Sequence, residues 1–168
     1  MKMVNPCFSC IQTFEGHISC VYSIILLNDG NIASGSDDKT IKIWDMKTYQ
    51  CIQTLEGHKN SVYSIIQLND GNIASGSYDG TIKIWDIITY QCIQTLEGHK
   101  DCVYSIIQLN DGNIATGSDD KTIKIWDINT FQCIQTLEGH KSSVYSIILL
   151  NDGNIASGSD DKTIKIWN

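Results

Sequence analysis

Residues Cys51–Asp86 read CIQTLEGHKNSVYSIIQLNDGNIASGSYDGTIKIWD, and nearly the same block occurs four times in this chain of 168 residues. The Gly-His pairs mark the step. His17, His58, His99 and His140 stand 41 residues apart, and so do Trp44, Trp85, Trp126 and Trp167. A fixed period of this length means an array of one small unit rather than a single wound core. Such arrays build extended surfaces more readily than one buried reaction centre.

Within the block, short runs rich in β-branched and aromatic residues alternate with turn residues. Gln50–Leu55, Ser61–Leu68, Asn72–Ser77 and Thr81–Trp85 read as four strands. Asn69-Asp70-Gly71-Asn72 and Tyr78-Asp79-Gly80 supply residues that tolerate positive φ, so both are hairpin turns. No helical period appears, and the one proline, Pro6, precedes the array. Val62-Tyr63-Ser64-Ile65-Ile66 carries apolar residues on both strand faces. Both faces of each small sheet therefore need cover, and a neighbouring copy can supply it. Stacking four-stranded sheets around an axis in this way gives a β-propeller.

The Gly-His pair, the Ser/Thr-Gly-Ser-x-Asp-x-Thr stretch and the terminal Trp occur in that order four times, with Asp after the Trp in three of them. On these motifs the repeat resembles the WD40 family from about Cys10 to Asn168. The resemblance implies an all-β WD40-type β-propeller with four blades of four antiparallel strands in each chain. Residues 1–9 form an N-terminal tail and residues 10–168 the propeller. In the family an N-terminal strand completes the final sheet, so residues 10–14 are expected to close the last blade. The last copy departs from the pattern in ending Trp167-Asn168, where the others have Asp45, Asp86 and Asp127. Four wide sheets in one ring would need a steep angle between neighbours. Two chains of four would give an eight-bladed homodimeric ring, and a closed four-bladed chain or a fragment of a longer protein are the other readings.

Each repeat holds His, Ser and Asp, the residue types of a hydrolase triad. A reaction centre is needed once, however, and this set occurs four times, each with a Trp. The resemblance instead implies hydrogen-bonded structural tetrads. They are His17, Ser34, Asp38 and Trp44; His58, Ser75, Asp79 and Trp85; His99, Thr116, Asp120 and Trp126; and His140, Ser157, Asp161 and Trp167. Thr116 keeps the hydroxyl that Ser supplies elsewhere. Catalytic, metal and cofactor residues are not expected.

The formal net charge is −7 and the isoelectric point lies near 4.8. That balance disfavours nucleic acid and anionic membrane as partners. No apolar run approaches the roughly 20 residues of a membrane helix, and MKMVNPCFSC lacks the features of a secretory signal. Seven cysteines are present. Cys10, Cys51, Cys92 and Cys133 share one repeat position. Cys20 and Cys102 share another, held by Ser61 and Ser143 in the other copies. Free thiols in a reducing, cytoplasmic setting follow. Cys7-Phe-Ser-Cys10 has redox or zinc spacing, but the repeat alone accounts for Cys10.

Specificity must sit where the copies differ. The positions after Gly-His and in the second hairpin vary and share one rim. Lys59, Asn60, Tyr78, Gly80, Lys100, Asp101 and Lys141 are the candidates to bind a protein or peptide partner. Tyr78 is the leading anchor. Gln67 and Gln108 also replace Leu26 and Leu149. The sequence thus reads as a non-catalytic interaction scaffold. A recently amplified or engineered array without a dedicated partner, and a hydrolase, are the alternatives.

Overall fold

The computed structural model describes residues 9–168, which form fifteen strands and no helix. The first sheet is β1 (Val21–Leu26), β2 (Ile32–Ser36), β3 (Ile41–Trp44) and β4 (Cys51–Leu55). The second is β5 (Val62–Gln67), β6 (Ile73–Ser77), β7 (Ile82–Trp85) and β8 (Cys92–Leu96). The third is β9 (Val103–Gln108), β10 (Ile114–Ser118), β11 (Ile123–Trp126) and β12 (Cys133–Leu137). The fourth holds only β13 (Val144–Leu149), β14 (Ile155–Ser159) and β15 (Ile164–Trp167). Every sheet is an antiparallel meander. The strands lie within a residue or so of the sequence reading.

Turn chemistry sets the register. In the second repeat Gly71 adopts φ +92°, its amide donates to Leu68 O at 2.9 Å, and Asp70 Oδ1 accepts from Asn72 N at 2.9 Å. The Asp after Trp44, Trp85 and Trp126 caps the connection to the next strand. Asp86 Oδ1 accepts from the Ile88 and Thr89 amides at 2.8 and 2.6 Å. Those amide bonds hold the Asp86 carboxyl below its usual range.

The core lies between sheets. One cluster joins Ile41, Ile43 and Leu55 of the first sheet to Val62, Ile65, Ile73 and Trp85 of the second. The next two junctions repeat it. Burying each such aliphatic side chain contributes about 1.5–3 kcal/mol. The sheets approach so closely because β2, β6 and β10 carry a glycine at the contact. A Cβ on Gly76 would stand 2.7 Å from Val103 Cγ1.

The two glutamines bridge junctions. Gln67 Oε1 accepts from Asn28 N of the preceding sheet at 2.8 Å, and its Nε2 donates to Gly71 O at 2.8 Å. Gln108 does the same with Asn69 N and Gly112 O. Leu149 offers no such acceptor at the third junction.

Among the described residues the fourth sheet does not close onto the first. Residues 10–14 form no strand, and the fourth sheet lacks a fourth strand. Within a single chain, residues 10–14 therefore do not join the fourth sheet. The physical reason is placement: the segment runs beside the first sheet, with the Phe14 ring 5.6 Å from Trp44. Val21 and Ile24 of the first sheet and Ile164 and Ile166 of the fourth remain exposed, so the four sheets form an open arc and not a closed four-bladed ring. Cys7 and its CxxC spacing lie outside the described residues.

The tight junctions make a first prediction. Gly76→Ala overpacks the contact with Val103 and should cost about 1–3 kcal/mol in denaturant unfolding. A stability within error of wild type would show that the sheets are not held at this distance.

Candidate functional site

The residues singled out by the repeat pattern meet on the turns that join β2 to β3 and its equivalents. His58 sits in the loop before β5, Ser75 on β6, Asp79 in the β6–β7 turn and Trp85 at the end of β7. Asp79 Oδ2 lies 3.0 Å from His58 Nδ1. His58 Nε2 lies 2.7 Å from Ser75 Oγ, and Trp85 Nε1 donates to that oxygen at 2.8 Å. An ionised carboxylate can only accept, so Nδ1 donates to Asp79 and Nε2 accepts from the serine hydroxyl, whose oxygen accepts from the indole. The other three sets have the same links at 2.7–2.8 Å, with Thr116 Oγ1 in the hydroxyl place of the third.

Each Asp also braces its own turn. Asp79 Oδ1 accepts from Thr81 Oγ1 at 2.6 Å and Thr81 N at 3.0 Å, and Oδ2 accepts from Lys59 N at 2.8 Å. Burial acts to raise the Asp79 carboxyl, but bonds from His58, Thr81 and the Lys59 amide outweigh it and hold it well below the usual range. Asp38 and Asp120 show the same balance. At Asp161 the Thr163 hydroxyl is the leading cause of the lowering.

This geometry presents no nucleophile. Ser34, Ser75, Thr116 and Ser157 are buried, and each hydroxyl is held between an indole and an imidazole. Among the described residues, no buried side-chain nitrogen or oxygen lacks a hydrogen-bond partner.

The rim candidates divide. Lys59, Tyr78, Lys100, Asp101 and Lys141 are exposed beside the tetrad turns. Asn60 is half-buried, and its Oδ1 accepts from Ser61 N at 2.9 Å. Gly80 is buried and offers no contact surface. Its φ is +79°, and Lys39, Lys121 and Lys162 hold the equivalent left-handed position at 71°, 72° and 69°. Gly80 thus answers a backbone need that the lysines meet under strain.

Sequence reading missed a tyrosine row at the same rim. Tyr22, Tyr63, Tyr104 and Tyr145 stand at one position on the four innermost strands, with successive ring centroids 4.8, 5.2 and 4.9 Å apart. Tyr78 joins them, 6.2 Å from Tyr63. The signal was present, since each Tyr follows the same Val, but only the stacking brings the rings into one surface.

It also missed why Cys stands at 102 where Ser stands at 61 and 143. Ser61 Oγ donates to Asp37 of the preceding turn, and Ser143 Oγ to Asp119. Cys102 follows the turn carrying Tyr78, which has no carboxylate to accept. Asp101, Cys102 and Asp119 place one ligand atom each within 4.8 Å of one another. Burial first, then Asp101, pushes the Cys102 thiol up to about 12.

A family model described as WD domain, G-beta repeat matches residues 8–45, 49–86, 90–127 and 131–168. The chain belongs to the WD40 family. Among curated relatives, 38 residues are 63% identical to the vegetative incompatibility protein HET-E-1 of Podospora anserina, covering 22% of this chain and 3% of that protein. A 43-residue stretch is 40% identical to human WD repeat-containing protein 37, covering 26% and 9%. The chain thus spans a small part of these relatives' length. The solved WD40 β-propeller domain of Doa1 superposes with a TM-score of 0.86 at 30% identity, over 92% of this chain and 53% of that one. The WD40 propeller is typically a scaffold for protein interaction and generally non-catalytic.

Two predictions follow from the tetrads. Trp85→Phe leaves a buried hydroxyl short of its donor and should cost about 1–3 kcal/mol by chemical denaturation. The second concerns acid. The tetrad carboxyls lie lower folded than unfolded, where an Asp titrates near 3.9. Their stabilisation is complete above that value and is lost as pH falls toward the folded one. The melting temperature should be flat from about pH 7 to 5 and drop below about pH 4. A flat profile down to pH 2 in calorimetry would contradict this.

Proposed function

We propose that this WD40 array is a non-catalytic scaffold that holds a protein or peptide partner on the tetrad rim. The tyrosine row carries this reading. Tyr22, Tyr78 and Tyr145 are exposed, and five neighbouring phenol rings form a rigid amphipathic surface of the kind that dominates binding energy at interfaces. Burial first, then Cys102 and Asp119, hold the Tyr104 hydroxyl above its usual value, so the phenol stays a neutral donor and acceptor. Lys59, Lys100 and Lys141 alternate with Asp37, Asp101 and Asp119 around it. A segment of mixed charge with an apolar or aromatic anchor suits such a rim better than a polymer of one sign.

The working compartment we assign is the cytoplasm. Cys10, Cys51, Cys92 and Cys133 are free and exposed, and a reducing medium keeps such thiols unpaired. The working form we assign is a two-chain ring, which sets two Tyr78 rims on one face. Support comes from the two ends of the four-sheet arc, where Val21, Ile24, Ile164 and Ile166 are exposed.

Partner capture tests the rim. Tyr78→Asp places a charge, 49% exposed in its wild-type form, in the middle of the aromatic row. It should lower recovery of bound proteins at least tenfold in affinity capture with little change in melting temperature. Equal recovery by both forms would remove this rim as the binding site.

A further inference from the structure

Three internal junctions are built from one set of contacts, and the two ends of the arc each hold half of that set. At the junctions Val62, Val103 and Val144 are fully buried over Gly35, Gly76 and Gly117. Cβ atoms at those glycines would lie 2.8, 2.7 and 2.9 Å from the valine Cγ1. The amides of Ile65, Ile106 and Ile147 donate to Ser23, Ser64 and Ser105 Oγ at 3.1, 3.2 and 3.2 Å.

The first sheet presents the valine side of a fourth such junction. Val21 is 52% and Ile24 66% exposed, whereas Ile65, Ile106 and Ile147 are buried. The fourth sheet presents the glycine side. A Cβ on Gly158 would meet nothing within 4 Å. Ile164 is 78% and Ile166 58% exposed, whereas Ile41, Ile82 and Ile123 are fully buried.

The outer strand is divided between the ends in the same way. Cys10 Sγ donates to Gln12 O at 3.4 Å and lies 3.8 Å from Thr13 Oγ1. Cys51, at the same place on β4, makes both contacts at 3.3 and 3.8 Å. Residues 10–14 thus hold the local side-chain pattern of a fourth strand without a sheet. The fourth sheet has a free β15 edge where that strand belongs. Lys42, Lys83 and Lys124 Nζ donate to Thr54, Thr95 and Thr136 on their outer strands at 2.9, 2.8 and 2.9 Å. Lys165 occupies the equivalent place on β15.

We infer that a second copy of this chain covers both ends, forming two identical head-to-tail seams with an exchanged outer strand. This deepens the two-chain reading above and rests on it. In each seam Val21 lies over the partner's Gly158, and Ile24 N donates to the partner's Ser146 Oγ. Residues 10–14 pair with the partner's β15, bringing Thr13 to the partner's Lys165. A second copy is the occupant that fits because the surfaces are repeats of surfaces already mated three times in the chain. A head-to-tail contact closes when its rotation completes a turn. Each seam also removes a sheet edge that would otherwise template open-ended pairing.

Light scattering after size-exclusion chromatography of the full chain is the test, with two variants. Gly158→Val is harmless in a lone chain, since its side chain meets open space on a strand, but it collides with the partner's Val21. Ile24→Asp places a charge on the opposite face at an exposed position. The expected mass is twice the 18.7 kDa of the chain, falling twofold in each variant while the far-ultraviolet spectrum stays that of a folded β protein. A wild-type mass of one chain overturns the inference and leaves further repeats as the natural cover. So does a doubled mass that Gly158→Val leaves intact, which would mean association through another surface. Masses that climb with concentration overturn it too, since they signal an open filament. Partner capture by the Tyr78→Asp form reads the rim independently, so either reading can fail alone.

Discussion

Each sheet in this protein is apolar on both faces, and no sheet can bury both by itself. That constraint governs the rest. It requires neighbours, and the glycine on β2, β6 and β10 lets each neighbour's valine settle against the backbone. Small beside large, repeated at every junction, keeps successive sheets in one geometric relation. The tyrosines then fall into a row because their strands do. The surface read here as a binding rim is a by-product of the way the interior is packed.

The tetrads solve a second problem created by the first. A thin sheet buried on both faces leaves its turns as the parts least held by packing. The chain from carboxylate through imidazole and hydroxyl to indole ties loop, turn and two strands together. It uses polar groups that would be costly to bury alone. The same three residue types would suggest hydrolysis if read without their fourth partner. The indole takes the lone pair and packing takes the exposure, so the hydroxyl is structural.

Most of the fold was legible because periodicity carries it. The strands, both hairpin turns and the members of each tetrad follow from residue type and spacing. Matters that depend on two repeats at once were not legible. Gln67 looked like an unexplained departure from Leu26, and only the stacked sheets show it reaching Asn28 of the preceding copy. Gly80 read as a variable rim residue, yet its identity is set by a positive φ and its surface is covered. Cys102 in place of Ser became intelligible once Asp37 and Asp119 were seen beside Ser61 and Ser143, and Tyr78 before Cys102. Where residues 10–14 would lie was also beyond the pattern, since sequence phase says which strand they resemble and not which sheet they join.

The glutamine bridges give the arc a direction. The first two junctions each carry an amide clamp between sheets, and the third has Leu149 in its place. The fourth sheet also has one strand fewer than the others. Under mechanical load applied at the two termini, the array is therefore not a uniform spring. In a single chain the C-terminal sheet is the weakest link and peels first, while the two clamped junctions hold the remaining three sheets as one block.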